Sequence, residues 1–455
     1  SKTLTLYAVY KKLPYTVTFN NNNGTSTSKI YTSLTMYASK NQKVTLPDVP
    51  KVKGYTNLGW TTEKGETEPE YSAGDTVKIT KATQFYAVRR KSNYYTVSYY
   101  LGNGSTNAAY QKLTQTVEEG TVVTFAKVPA RTGYVNQGWS SKKNSEKATA
   151  KAKCTVNKNI TLYAVQKKAV QLTFHRCDGS TWQKTTLAKG SSYSLPGVRD
   201  AEGYTFMGWS TKPMQSVSPQ YEAEEKITVN GNVDLYAVVF NRTTETDLTE
   251  DQLPQVDIYK YKQVIFVGDS RTEFMENVLT GMGESATKNV KFVCSAGKGL
   301  DWFTTTGWAQ LYSIVQHDSN SILSKKTAVI FNFGVNDLSK SADYAEYYNW
   351  IAPQLKSKGC ELYFMSVNPV NRLMLPNAGR ADRSEAAVRS FNQYMKANLS
   401  SAYTYIDMYS YLKSTGYSFA SDHYGTGTVD DGLHYTTRTY KRIFAKCMDS
   451  LRVPA

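Results

Sequence analysis

At 455 residues the chain exceeds one ordinary hydrophobic core, so several domains are expected. No stretch approaches the roughly 18 apolar residues of a membrane-spanning helix, and the five cysteines, Cys154, Cys177, Cys294, Cys360 and Cys447, lack the paired spacing of a metal site. The net charge of +16 is confined to one half: residues 1–240 hold 31 Lys+Arg against 16 Asp+Glu, leaving 23 against 22 for the remainder.

That basicity is spread over strands and turns rather than gathered in a helix or an Arg-rich tract, which suits a diffuse anionic polymer better than base reading of a nucleic acid. Solvated lysines without a partner are the alternative. The cysteines are expected to be buried thiols, with a Cys154–Cys177 pair left open. The opening Ser-Lys-Thr-Leu is no signal peptide. Residues 1–14 read as the end of a truncated repeat, closing at Leu6-Tyr7-Ala8-Val9, so an upstream export signal is expected to be missing.

From residue 15 the chain spells the same sentence three times. Gly54-Tyr55 leads to Gly59-Trp60-Thr61, Gly133-Tyr134 to Gly138-Trp139-Ser140, and Gly203-Tyr204 to Gly208-Trp209-Ser210. Each closes on an aromatic or Leu followed by Tyr-Ala-Val, at 85–88, 162–165 and 235–238. The period is too long for a solenoid turn and fits a small domain repeated in series, at 15–91, 92–168 and 169–240, like beads on a string. Alternating, aromatic-rich segments such as Tyr15–Phe19 and Ile160–Val165 read as strands. The Trp of each Gly-Trp is expected to anchor a small core rather than to present a ligand platform.

Residues 241–257, aperiodic and rich in Thr and acid, read as a linker. From 258 to 455 the pattern turns to strand then helix. Gln263–Val267 is a buried strand, followed by Phe274, Val278, Leu279 and Met282 at helical spacing. Further strands are expected at 290–293, 327–333, 361–367 and 403–406. Helices are expected to bury Tyr344 through Leu355, Val388 through Leu399 and Tyr440 through Leu451. This alternation predicts a three-layer α/β domain with about five parallel strands, whose carboxyl edge is where ligands bind.

Four short segments surface along that edge. Ser270, in Gly268-Asp269-Ser270, stands between strand and helix, where unpaired amides and the helix dipole favour a developing alkoxide. An N-cap is the plainer reading of a lone Ser there. Asp431 and His434 are three residues apart before the last helix, so the carboxylate can reach one imidazole nitrogen while the other faces the serine; Asp430 is the rival orienter. An oxyanion has candidate donors in the Ser270 amide, the Gly299 amide, with Gly297 as competitor, and the Asn336 side chain. Asp337 is expected to cap the turn that follows it, and Asp269 to organise its loop rather than to exchange protons. Arg271 is either a receiver for an anionic substrate group or a helix-surface ion pair. His423 and Tyr424, in a Gly/Ser/Asp-rich loop, are candidate substrate contacts, and Trp302 and Trp308 either stack on a sugar or pack over the sheet.

Residues 1 to about 240 resemble the internalin B-type, or Listeria-Bacteroides, repeat, which implies compact β-grasp-like units serving as stalk or adhesive spacer on a secreted or surface-attached bacterial protein, without chemistry of their own. Residues 258–455 resemble the SGNH, or GDSL, hydrolase family. Carried over by motif, that resemblance implies Ser270 as nucleophile, His434 as base with Asp431 behind it, and Ser270, Gly299 and Asn336 as the oxyanion site, with no metal and no cofactor. The chain departs from the pattern at Arg271, where Leu is usual, and around Gly299. The expectation is a secreted or cell-surface carboxylic ester hydrolase acting on an ester-bearing substrate, an acetylated polysaccharide by preference, held at anionic cell-wall or host glycans by its repeats. An adhesin with a non-catalytic hydrolase-like domain and a lipase or lysophospholipase are the alternatives.

Overall fold

The computed structural model describes residues 5, 7, 15–23, 28–257, 260–316, 326–375, 383–420 and 431–451. The chain divides into two compact units, Ser1–Lys168 and Ala169–Ala455.

In the first unit, the first repeat shows why the recurring residues recur. Its sheet runs Met36–Ala38, Tyr15–Asn20, Thr83–Lys91, Tyr55–Thr61 in spatial order, with the second and third strands parallel and Phe19 opposite Phe85. A short helix, Lys29–Thr32, lies between the first two strands, and its Tyr31 is buried. The Gly-Trp strand carries a bulge at Asn57/Gly59. A Cβ at Gly59 would lie 2.2 Å from the Tyr71 carbonyl oxygen, so no other residue fits that bulge. Trp60 is wholly buried and donates its Nε1–H to the Pro47 carbonyl. Trp139 and Trp209 make the same bond to Ala126 and Pro196. All three are core anchors, as expected of a large ring whose one polar atom must find an acceptor when buried.

In the second unit the third repeat departs from its siblings. Where the first two place a short helix after the opening strand, it has an antiparallel strand, Thr181–Ala188, and Trp182 stacks on Trp209 at 5.8 Å. This copy is β-rich like the others but is built of strands alone.

The C-terminal half follows in the same unit: β1 (Tyr261–Gly268), α1 (Ser270–Met282), β2 (Val290–Cys294), α2 (Trp308–Gln316), β3 (Lys326–Asn332), α3 (Ser341–Ser357), β4 (Cys360–Met365), α4 (Glu385–Asn398), β5 (Tyr403–Ile406), α5 (Met408–Thr415), β6 (Phe419–Ala420), β7 (His434–Tyr435) and α6 (Thr437–Ser450). The sheet order is β2-β1-β3-β4-β5, parallel throughout. Alternate residues serve opposite faces. Val264 and Phe266 of β1 pack with α1 and α6, whereas Ile265 and Val267 pack with α2, α3 and α4. Burial on both faces is why these strands read as unbroken apolar runs.

Two expectations fail here. The third repeat is no free bead: its Met207, Val238 and Phe240 lie in the same apolar cluster as Phe266, Met365 and Phe444. Lys413 of α5, 6% exposed, joins them, with Nζ 2.9 Å from carboxylate oxygens of both Glu222 and Glu385 and from the Met207 carbonyl. Nor are residues 241–257 a linker. Leu253 and Val256 are buried, and Glu245 meets Arg442 at 2.9 Å while accepting from Ser418 and Thr439. Acid that reads as solvated in the sequence is there to neutralise a buried guanidinium. Of the cysteines, Cys360 and Cys447 are buried, Cys154 and Cys294 half-buried, and Cys177, against expectation, exposed.

Candidate active site

The site begins at a tight exit from β1. A Cβ at Gly268 would lie 1.9 Å from Thr272 Oγ1, so only glycine lets α1 start this close to the strand. Asp269 caps α1 by accepting the Arg271 N–H at 3.0 Å. Ser270, the first helical residue, is thereby set at the positive end of α1. Its Oγ lies 2.9 Å from His434 Nε2, and His434 Nδ1 lies 2.6 Å from Asp431 Oδ2. The other oxygen of Asp431 accepts the Leu433 and His434 N–H groups at 2.8 Å, so one carboxylate fixes both the turn and the ring. Phe274 covers the imidazole, with 4.3 Å between ring centroids.

Buried beneath this line, Asp269 has its carboxyl pushed up to about 6 by desolvation, against the pull of the Arg271 N–H and guanidinium, His434 and Arg383. A group whose acidity falls on folding favours the native state below its unfolded value near 3.9 and loses that advantage as pH rises through about 6. Asp269→Asn keeps the cap without the charge. Urea titrations should show the variant gaining on the wild type between pH 4 and pH 7, by on the order of 3 kcal/mol; parallel curves would refute it.

Gly299 and Asn336 follow β2 and β3, the two strands that flank β1, and so stand on either side of Ser270. Among the described residues, neither the Ser270 nor the Gly299 N–H has an acceptor. The two competing glycines differ in kind. Gly297 has φ +72° and open space beside it, a turn residue. Gly299 presses against Asp337, whose Oδ2 would be 2.4 Å from an added Cβ. Asp337 accepts the Leu300 N–H at 2.9 Å and the Tyr344 hydroxyl at 2.7 Å, and thus clamps the Gly299 loop rather than merely capping its own turn.

Asn336 donates from Nδ2 to the Lys298 carbonyl at 2.7 Å, and its Oδ1 accepts from Arg383 Nη2. Arg383, 4% exposed, is the residue that the sequence did not reveal. Its guanidinium settles which way the amide faces and leaves the second Nδ2 hydrogen for a ligand. Arg383→Met should lower kcat about tenfold at little-changed KM, less than loss of an oxyanion donor itself, with Arg383→Lys partly restoring it; unaltered steady-state kinetics would remove the role.

Arg271 is corrected outright. It is 2% exposed, and its three nitrogens donate to the carbonyls of Leu433, Asn368 and Pro369 at 2.9 to 3.0 Å. Its donors are taken up by the chain itself, and it ties the helix of Ser270 to the strand of His434. Trp302 packs on Phe333 and Trp308 on Tyr312. His423 and Tyr424, like Asp430, lie outside the described residues. The described residues contain no cluster of His, Cys, Asp or Glu able to hold a metal ion.

Residues 264–447 match the GDSL-like lipase/acylhydrolase family. The C-terminal domain belongs to it. Residues 15–88, 95–165 and 171–238 are three copies of the Listeria-Bacteroides repeat domain. Two proteins of Evansella cellulosilytica, provisionally named as a Gly-rich membrane protein and a membrane protein, are 28% and 26% identical over 51% of this chain, which spans 26% and 33% of their lengths. Among solved structures, an acetyl xylan esterase is similar over 42% of this chain and all of its own (11% identity, TM-score 0.30). The catalytic domain of a Streptococcus pneumoniae peptidoglycan O-acetyltransferase is similar over 42% of this chain and 92% of its own (15%, 0.26). These likenesses are too weak to carry an activity across. Residues 264–447 thus form a GDSL-like lipase/acylhydrolase domain, and no helix among those described is long and apolar enough to cross a membrane.

Proposed function

We propose that Ser270, His434 and Asp431 form the catalytic triad of a carboxylic ester hydrolase that deacetylates a polysaccharide, carried at a secreted or cell-surface location on basic repeats that adhere to anionic glycan. The observation that carries the reading is the unbroken line from Asp431 through His434 to Ser270, at 2.6 and 2.9 Å. His434 Nε2 takes the Ser270 proton as Oγ attacks the ester carbonyl, while Asp431 holds the tautomer and steadies the imidazolium. The oxyanion receives the amides of Ser270 and Gly299 and the Asn336 side chain. His434 returns the proton to the leaving alkoxide, and then draws one from the water that releases the acid. The net +15 of residues 1–240 supports the adhesive role of the repeats.

The test compares wild type and Ser270→Ala on p-nitrophenyl acetate, p-nitrophenyl butyrate, acetylated xylan and acetylated peptidoglycan. Acetate released from one of the polymers by wild type alone is the expected result. Preference for long acyl chains would move the reading to a lipase. No turnover of any of them, with glycan binding that falls steeply with salt, would leave an adhesin.

A further inference from the structure

His434 is only as well placed as the short strand β7 that carries it, and β7 is two residues long. A strand of that length has no stability of its own. Besides Asp431, three supports from elsewhere in the fold hold it. Arg271 holds the Leu433 carbonyl, β6 pairs Ala420 with His434 and Phe419 with Tyr435, and the Asn371 N–H donates to the Gly432 carbonyl at 2.8 Å. Two of these three supports are themselves gripped by the third repeat.

The Asn371 side chain donates to the Asp200 carboxylate at 2.8 Å and to the Val198 carbonyl at 3.1 Å. Asp200, its side chain 1% exposed, also accepts the Phe206 N–H and pairs with Arg242 at 2.6 Å. Arg242 passes the network on to Thr205 Oγ1 at 2.9 Å, and Thr205, fully buried, donates to the Tyr417 carbonyl at 2.8 Å, two residues before β6. One connected chain, Asn371–Asp200–Arg242–Thr205–Tyr417, therefore brackets the histidine's strand from both sides. A buried network with all members engaged rigidifies what it touches.

We propose that the third repeat is a working part of the catalytic centre: through this network it positions His434 against Ser270, so that repeat and hydrolase domain make one functional unit. The inference rests on the triad reading above. Asn371 and Thr205 touch no reacting atom and act as positioning residues, through Gly432 and through β6.

The experiment uses the full chain and phenylmethylsulfonyl fluoride, whose sulfonylation of Ser270 reports nucleophile activation without any demand on glycan recognition. Asn371→Ala and Thr205→Val should each slow labelling and the kcat for p-nitrophenyl acetate by about tenfold, the scale of a sub-ångström misplacement. KM should hold, and Thr205→Ser should restore the rate. Wild-type labelling rates in both variants, with native near-UV circular dichroism, overturn the proposal. Hydrogen exchange of the wild type in rising denaturant decides the matter independently of folding defects or of the triad reading. Peptides from 204–210 and 433–440 should lose protection in one transition, and separate transitions overturn it. A wild-type chain that resists the label counts against the hydrolase reading alone, and exchange then still decides on the coupling.

Discussion

Ser270→Ala is expected to abolish ester hydrolysis, by a factor on the order of 10³ to 10⁶, while leaving the thermal midpoint where it was. The magnitude follows from how triads behave: their members act as a unit, and removing one leaves only what the oxyanion donors and binding supply. The unchanged stability follows from the site itself. The cap of α1 is Asp269, not Ser270, and Asp431 is held by backbone N–H groups that alanine at 270 does not touch. His434 keeps its carboxylate partner and its contact with Phe274. A paired measurement of p-nitrophenyl acetate turnover and calorimetric midpoint checks both halves. Retained turnover, above that of buffer, would mean that some other group attacks the ester.

Lys413→Met should produce the largest loss of stability. Its ammonium is the shared counter-ion of Glu222 and Glu385, and all three side chains are less than a fifth exposed. Removing it leaves the two carboxylates with only the Arg389 guanidinium for a cation among the described residues, in a site too dry to solvate them, a change that costs about 3–5 kcal/mol in comparable buried pairs. For a unit of this size that corresponds to roughly 6 to 15 °C. The deficit carries a pH signature. Burial already pushes the Glu222 carboxyl above the ordinary carboxylate range, with Lys413 the main opposing influence. Without Lys413 the carboxyl holds its proton still more firmly, so acid neutralises the stranded charge. The gap between variant and wild type should therefore shrink as pH falls from 7.5 to 4.5. A gap that widened instead would show that Arg389 by itself keeps the two glutamates ionised.

What was legible in the sequence and what was not divide along a physical line. The strands of the parallel sheet announced themselves because burial on both faces writes contiguous apolar runs such as Val264–Val267. Ser270 could be singled out because it opens the helix that the periodicity marks after β1, and Asp431 and His434 because they lie six and three residues before α6. The misread residues are those whose partners are remote. Arg271 looks like a surface cation beside a serine, and nothing local says that three carbonyls from 368, 369 and 433 will surround it. Arg383 lies 47 residues from the amide it orients, in no motif. Met207, Val238 and Phe240 fit equally well as the repeat's own core and as a docking face, so the third bead and the acidic stretch after it were assigned by composition and packed by shape.

The position after Ser270 shows why averaging over relatives is a poor recipe for stabilising this molecule. The leucine usual in the family pattern, set in place of Arg271, would fill similar volume, yet it would abandon three carbonyl oxygens at the centre of the fold. Each such orphan costs about 1–3 kcal/mol. A swap that looks like a return to type is, in this chain, the removal of a cross-strut.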